Sequence, residues 1–209
     1  MESFIAEDVE KYIYDILPAR DEVLTEMEAQ ARRRDIPIIG PAVARVIYQY
    51  AKLINAKRVF EMGSAIGYST IWLARAVGEG GKVYYTDGSE KNCAEAQGYI
   101  ERAGVADSVE ILQGDAIDLL EQTEGEFDLI FNDVDKHQYP DAFRVALPRV
   151  RSGGLFITDN VLWSGRVARQ ANDQYTAGVR EFNRLIYTAD NLFTTILPIR
   201  DGIAVCLKR

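Results

Sequence analysis

Two short stretches carry residues able to do chemistry: Phe131-Asn132-Asp133-Val134-Asp135-Lys136-His137 and Ile157-Thr158-Asp159-Asn160. Each is an apolar run ending in oxygen-bearing side chains, the pattern of a buried parallel strand opening onto a site. Adjacent strands lie roughly 4.8 Å apart. If these two are neighbours, Asp133, Asp159 and Asn160 come within reach of one hard cation, which takes oxygen ligands. Lys136 then stands one step beyond that cation. No thiol ligand is near, so a metal and an amine base point to chemistry on an oxygen-bearing substrate. His137, the only histidine, is the rival base. Strand-end geometry turns it away or onto a helix cap, so it ranks second.

A second constellation is Glu61-Met62-Gly63-Ser64-Ala65-Ile66-Gly67-Tyr68-Ser69-Thr70, at a strand-to-helix turn. Glycine there lets the backbone turn tightly and approach a ligand. The full dinucleotide fingerprint needs a third glycine, and Ala65 stands in its place. Glu61 puts an acid where a pyrophosphate would not want one and suits a cationic ligand. Asp87 ends the next strand, where a carboxylate can accept from both hydroxyls of a ribose. Gly114-Asp115-Ala116 ends a third and offers a rim for an adenine ring.

These residues need a scaffold of strand ends, and the chain from residue 57 supplies one. Candidate strands are 58–62, 82–86, 109–113, 127–131 and 155–158, with helices near 68–77, 90–103, 115–122 and 138–150. That alternation predicts a doubly wound α/β fold with a mostly parallel sheet. After a helix near 176–189, runs at 193–197 and 203–207 flank Pro198-Ile199-Arg200-Asp201-Gly202, which predicts an antiparallel hairpin at the sheet edge and brings the strands to seven. The first 55 residues read as helices: Val9, Tyr12, Ile13, Ile16 and Leu17 recur at helical spacing up to Pro18, a charged helix runs to about Arg34, and Pro41 starts a third after the apolar 36–41 linker. This preface is expected to pack beside the sheet or against another subunit. With no repeats or linkers, 1–209 reads as one domain, an N-terminal helical extension (1–55) on an α/β core (57–209).

Composition narrows the function classes. The 209 residues are 47% hydrophobic and 27% charged, as in ordinary soluble proteins. No apolar run approaches the roughly 20 residues that span a bilayer, and the N-terminus lacks a signal peptide's basic and apolar regions. Cytoplasmic location is therefore expected, with no membrane partner. Cys93 and Cys206 have no paired spacing and read as small core residues. The net charge of −8 opposes a large nucleic-acid footprint. Arg32-Arg33-Arg34 is a local exception, read chiefly as a solvated helix C-terminus that suits the macrodipole and secondarily as a contact for an anionic substrate.

Together these blocks resemble the class I S-adenosylmethionine-dependent methyltransferases, and among them the cation-dependent O-methyltransferases that include catechol and caffeoyl-coenzyme A methyltransferases. The resemblance covers residues 36–209 and rests on 60–63 with 67–69, 114–116, Asp133-Val134-Asp135-Lys136 with Tyr139, Asp159-Asn160-Val161-Leu162-Trp163-Ser164-Gly165, and Leu197-Pro198-Ile199-Arg200-Asp201-Gly202. It implies a Rossmann-like core. It also implies that Glu61, Gly63 and Ser69 hold the methionine part of S-adenosylmethionine, Asp87 the ribose, and Asp115 and Ala116 the adenine. Asp133, Asp159 and Asn160 match the metal ligands and Lys136 the general base. Asp133 is counted both with Lys136 as catalytic and among the residues bordering the cofactor. Trp163 matches an aromatic beside the metal loop. Asn132 and Arg200 depart from the pattern, at an apolar position and a frequent glycine respectively. Neither touches a ligand match, so they bear on substrate shape.

The expected reaction is metal-dependent methyl transfer to a hydroxyl of a catechol-like small molecule. Magnesium is the first choice of ion, and manganese or calcium also suit an all-oxygen set. Lys136 would accept the phenolic proton if the metal and burial depress its pKa. The chain lacks the plant enzymes' longer insertions, so a coenzyme A ester does not follow. An alternative keeps the chemistry but methylates a hydroxylated uridine in transfer RNA, a reading the acidic net charge disfavours. An NAD-dependent oxidoreductase conflicts with Ala65, Glu61 and the two-strand acid cluster, and a non-catalytic cofactor sensor leaves the metal set unexplained. The helical preface and the resemblance both imply a homodimer.

Overall fold

A computed structural model describes residues 5–171 and 173–209. Residues 1–4, the start of the segment read for the absence of a leader, lie outside the described residues. The elements run α1 (Glu7–Asp15), α2 (Glu22–Arg34), α3 (Gly40–Leu53), β1 (Arg58–Met62), α4 (Tyr68–Val77), β2 (Lys82–Asp87), α5 (Glu90–Arg102), β3 (Val109–Gln113), α6 (Ala116–Gln122), β4 (Phe127–Asn132), α7 (Tyr139–Arg149), β5 (Val150–Thr158), α8 (Gln174–Thr188), β6 (Leu192–Leu197) and β7 (Ile203–Lys208). Short 3₁₀ turns at Lys136–Gln138 and Trp163–Ala168 follow β4 and β5. No helix among the described residues is long and apolar enough to cross a membrane.

The seven strands form one sheet in the order β3-β2-β1-β4-β5-β7-β6, the Rossmann-like arrangement expected. Strands β1 to β5 pair in parallel, and β7 runs antiparallel between β5 and β6, so β6 is the edge strand of the hairpin. The winding reverses between β1 and β4, and such a switch point opens a crevice at the carboxyl ends of the strands. Side chains alternate across the sheet, as a period of two requires. Val59, Leu129, Phe131 and Ile157 join α3, α4 and α5 in one core, and Phe60, Ile130, Phe156 and Ala204 join α7 and α8 in the other. Cys93 and Cys206 are both free and buried.

Two expectations change. Strand β5 begins at Val150 rather than at 155, because Arg151-Ser152-Gly153-Gly154, which reads as a turn, is carried in the strand as an irregularity where the register on β4 shifts. The helical preface does not merely flank the sheet. Leu24, Met27 and Ala31 of α2 are buried, which brings the polar residues between them, and the 35–41 linker, over the strand ends beside Asp133 and Asp159. Helix α1 has no buried residue and leaves Val9, Tyr12, Ile13 and Ile16 exposed.

Candidate active site

Strands β4 and β5 are neighbours, with Asn132 opposite Thr158, so the next residues on each strand, Asp133 and Asp159, emerge side by side. Asp159 N donates to Asn132 O at 3.2 Å and Asp133 N to Met62 O at 2.9 Å. The backbone thus continues its pairing one residue past β4 and anchors both aspartates. Asp159 is 2% exposed. Its Oδ1 accepts from Asn160 N at 2.9 Å, and its carbonyl accepts from the buried Tyr139 hydroxyl at 2.7 Å.

Asp133, Asp159 and Asn160 line a single cavity of about 720 Å³. Opposite them lie Tyr14, Glu28 and Arg32 of the helical preface, the 35–41 linker, and Arg200 of the β6–β7 turn. The charge balance on this floor is uneven. Lys136 Nζ donates to Asp133 Oδ1 at 2.9 Å, while Asp159 has no ion pair among the described residues. Burial pushes the Asp159 carboxyl above the usual range, the nearby Asp133 charge pushes it further, and Arg200 pulls it back in part. One buried and one partly buried carboxylate, one ammonium and an adjacent amide fit a hard divalent cation, which would supply further positive charge. No group of three His, Cys, Asp or Glu side chains comes together among the described residues. The set is two acids and an amide, all oxygen donors.

Lys136 differs from expectation in one respect. Burial lowers its pKa, but the Asp133 carboxylate outweighs burial and holds it above the ordinary lysine range. Its partner is Asp133, not Asp135. His137 turns onto Tyr175, ring centroids 5.6 Å apart, and stands away from the acidic floor. The Trp163 ring lies 6.5 Å from Tyr175, and its Nε1 is buried without a partner.

The β1–β3 side of the crevice is assembled from successive strand ends. Glu61 is fully buried. Its Oε2 accepts from the Thr70 hydroxyl, whereas Oε1 is buried with no partner. Burial raises the Glu61 pKa to about 7, against the pull of the Ser69, Thr70 and Ser64 hydroxyls. An orphaned buried carboxylate oxygen fits a cationic group such as an ammonium. Gly63, at φ +82°, packs so closely on the metal loop that a Cβ there would sit 2.8 Å from Asp133 O. Asp87 uses one oxygen for local turns, accepting from Ser89 N at 2.8 Å and Asn92 Nδ2 at 3.1 Å. Asp115 caps α6 through Ile117 N at 2.9 Å and Asp118 N at 3.3 Å, and Ala116 is buried at the same helix start.

The basic run divides in space. Arg34 makes a two-point ion pair with Glu95, Arg33 is exposed, and Arg32 faces the cavity. Arg200 also lines it, in keeping with a departure that bears on substrate shape. Tyr14 and Glu28 carry no motif of their own, whereas Arg200 stands in the Leu197–Gly202 block as a departure from a frequent glycine. Among the described residues, six of the seven non-glycine residues with positive φ (Asp35, Ala65, Asn160, Trp163, Ser164 and Arg200) belong to the loops around this crevice. Such backbone persists where the surroundings over-determine it, commonly at functional sites.

A family model described as O-methyltransferase matches residues 19–209. The catechol O-methyltransferase of Niastella koreensis is 34% identical over the whole of both chains. A caffeoyl-CoA O-methyltransferase of Populus kitakamiensis is 30% identical, over 97% of this chain and 94% of that one. Among solved structures, an O-methyltransferase from Bacillus cereus in complex with SAH superposes with a TM-score of 0.88 at 33% identity, covering 97% of each chain.

Proposed function

The chain belongs to the O-methyltransferase family, and from that membership we propose that it methylates a hydroxyl of a catechol-like small molecule held on a divalent cation. Its broader activity is that of an S-adenosylmethionine-dependent O-methyltransferase of the catechol and caffeoyl-CoA type. The observation that carries the finer reading is the pair of carboxylates at the ends of β4 and β5, Asp159 buried and Asp133 partly so, opening with Asn160 on one cavity in which Lys136 pairs with Asp133 alone.

In this reading Asp133, Asp159 and Asn160 hold the cation, magnesium before manganese or calcium. Bound there, the cation supplies Lewis acidity that lowers the pKa of a coordinated hydroxyl. S-adenosylmethionine supplies the activated methyl group. Glu61 takes its ammonium on the orphaned Oε1, with Ser69 and the backbone at Gly63 beside it. Asp87 offers its second oxygen to the ribose, and Asp115 and Ala116 border the adenine.

Lys136 takes the phenolic proton at Nζ. Its ion pair with Asp133 favours the protonated amine, and a cation held by Asp133 would weaken that pair and favour the free base. Tyr139 positions Asp159 by holding its carbonyl. Helix α2 and the 35–41 linker roof the cavity and exclude water, which strengthens every charge interaction beneath them. Pairing of two copies through the exposed stripe of α1 belongs to the same proposal.

Methyl transfer from S-adenosylmethionine to catechol with magnesium, and then with excess chelator, tests this reading. Transfer abolished by chelator and restored by added magnesium is the expected result. Transfer that continues unchanged in chelator would remove the cation from the mechanism.

A further inference from the structure

The cations around the acidic floor are of two kinds. Arg20 is spent: its Nε and Nη2 each meet Glu28 at 2.8 Å, and Glu28 also accepts from the Tyr68 hydroxyl. Arg32 and Arg200 line the same cavity, yet neither forms an ion pair among the described residues. The side chain of Arg200 is nevertheless held in place. Its Nη1 donates to Ile38 O at 3.0 Å and to Ile39 O, which fixes the guanidinium against the linker. Gly40 leaves it the space, since a Cβ there would come within 3.2 Å of Nη1. The Nε and Nη2 donors of this fork have no protein partner among the described residues.

An anchored guanidinium with donors to spare suits an oxyanion, because its fork matches two oxygens of a carboxylate or a phosphate at once. Lys136 and a divalent cation would together answer the charges of Asp133 and Asp159. Arg32 and Arg200 then remain in the cavity lining with Asp35, the Glu28 carboxylate there being held by Arg20. Neutral catechol has nothing to offer them.

Resting on the reading above, we propose that Arg200, assisted by Arg32, forms an anion subsite that selects dihydroxy aromatic acceptors carrying an acidic substituent. Arg200 is the specificity-determining residue. The anion is a carboxylate in the simplest acceptor and a phosphate in a coenzyme A thioester.

The test uses the full chain and three acceptors with the same 3,4-dihydroxy ring: catechol, the ring carboxylate, and a coenzyme A thioester of a dihydroxycinnamate. Arg200→Gln removes the charge and keeps a polar amide, and Arg200→Lys, which keeps the charge, separates charge from the linker contact. The parent is expected to favour one anionic acceptor over catechol by at least ~10-fold in kcat/KM, chiefly through KM, and Arg200→Gln to reduce that ratio by a similar factor, the scale of a charge-assisted contact. Which anionic acceptor loses its advantage identifies carboxylate or phosphate as the bound group. Arg32→Gln, at an exposed helix end, puts no packing at risk and is expected to reduce the ratio by about 3-fold, as a half-solvated charge does. A purely structural role for Arg200 lowers kcat/KM for all acceptors alike and leaves the ratio unchanged, which would overturn the subsite while leaving the catechol reading intact. Transfer to none of the three, with methylation of transfer RNA, would overturn both together.

Discussion

On the β1–β3 side of the crevice, Glu61, Gly63, Ser69, Asp87 and Asp115 come from consecutive strand-to-helix junctions. On the β4–β5 side, Tyr14, Glu28, Asp133, Asp159 and Arg200 are drawn from almost the whole length of the chain. The first set follows from local rules: each residue sits just where a parallel strand ends, and the sheet order alone brings the strand ends together. The second depends on how a helical extension and a terminal hairpin close over the sheet. A crevice built this way can keep its cofactor end constant while its acceptor end is reshaped by distant segments.

The sharpest way to break the comparison is Asp159→Ala. It removes one of two carboxylates from the acceptor side and touches nothing on the cofactor side. Cation-dependent turnover is expected to fall by at least ~1,000-fold, since an open hard-ion site tolerates few lost ligands. Calorimetric binding of SAH is expected to stay within about 3-fold of the parent, the scale of an indirect effect. Loss of both would mean that the contact of Gly63 on the Asp133 backbone couples the two ends more tightly than their separate construction implies.

Lys136→Ala probes the same side at smaller cost. Turnover should drop by roughly 100-fold, the ordinary contribution of a general base, while SAH affinity changes little. A pre-steady-state measurement of the methyl-transfer rate locates the loss in the chemical step, and an unchanged rate would remove Lys136 from the mechanism.

The smallest effect is a pH dependence in which Glu61, on the cofactor side, takes part. Glu61 is raised from 4.5 to about 7 by burial. Below the unfolded value both states hold the proton. As pH rises from there towards 7 the unfolded chain ionises first, so stability declines across that window and levels off above it. The cofactor-free protein should therefore lose thermal stability between about pH 5 and pH 7, and Glu61→Gln should flatten part of the decline. Asp159, raised by the same physics, accounts for slope that remains. Parallel melting curves for parent and variant would show instead that Glu61 is already ionised in the folded protein.

Much of this site could be read from the chain alone. The bounds of β1 and β3 are legible because Gly63 and Gly114, both at positive φ, end the extended runs. The pairing of Asp133 with Asp159 needed only that β4 and β5 be neighbours. Strand β5 was read too short because Gly153-Gly154 signals a turn locally, while pairing with β4 carries the strand through it. The protonated state of Lys136 could not be read either. It depends on a 2.9 Å contact to Asp133, three residues back, rather than on the adjoining Asp135.

The sequence by itself determined the sheet, the glycine turn and the identity of the oxygen donors, because strand periodicity and strand-end chemistry are set by near neighbours in the chain. Only the tertiary structure decided what faces those donors. Arg200 reaches the linker across 162 residues to Ile38, Arg34 turns to Glu95 while Arg32 turns inward, and α2 becomes a wall rather than a flank. Those outcomes rest on which buried stripe each helix presents to the core, and on where the last hairpin inserts. Both are properties of the whole packed chain, with no short-range signature for a sequence to carry.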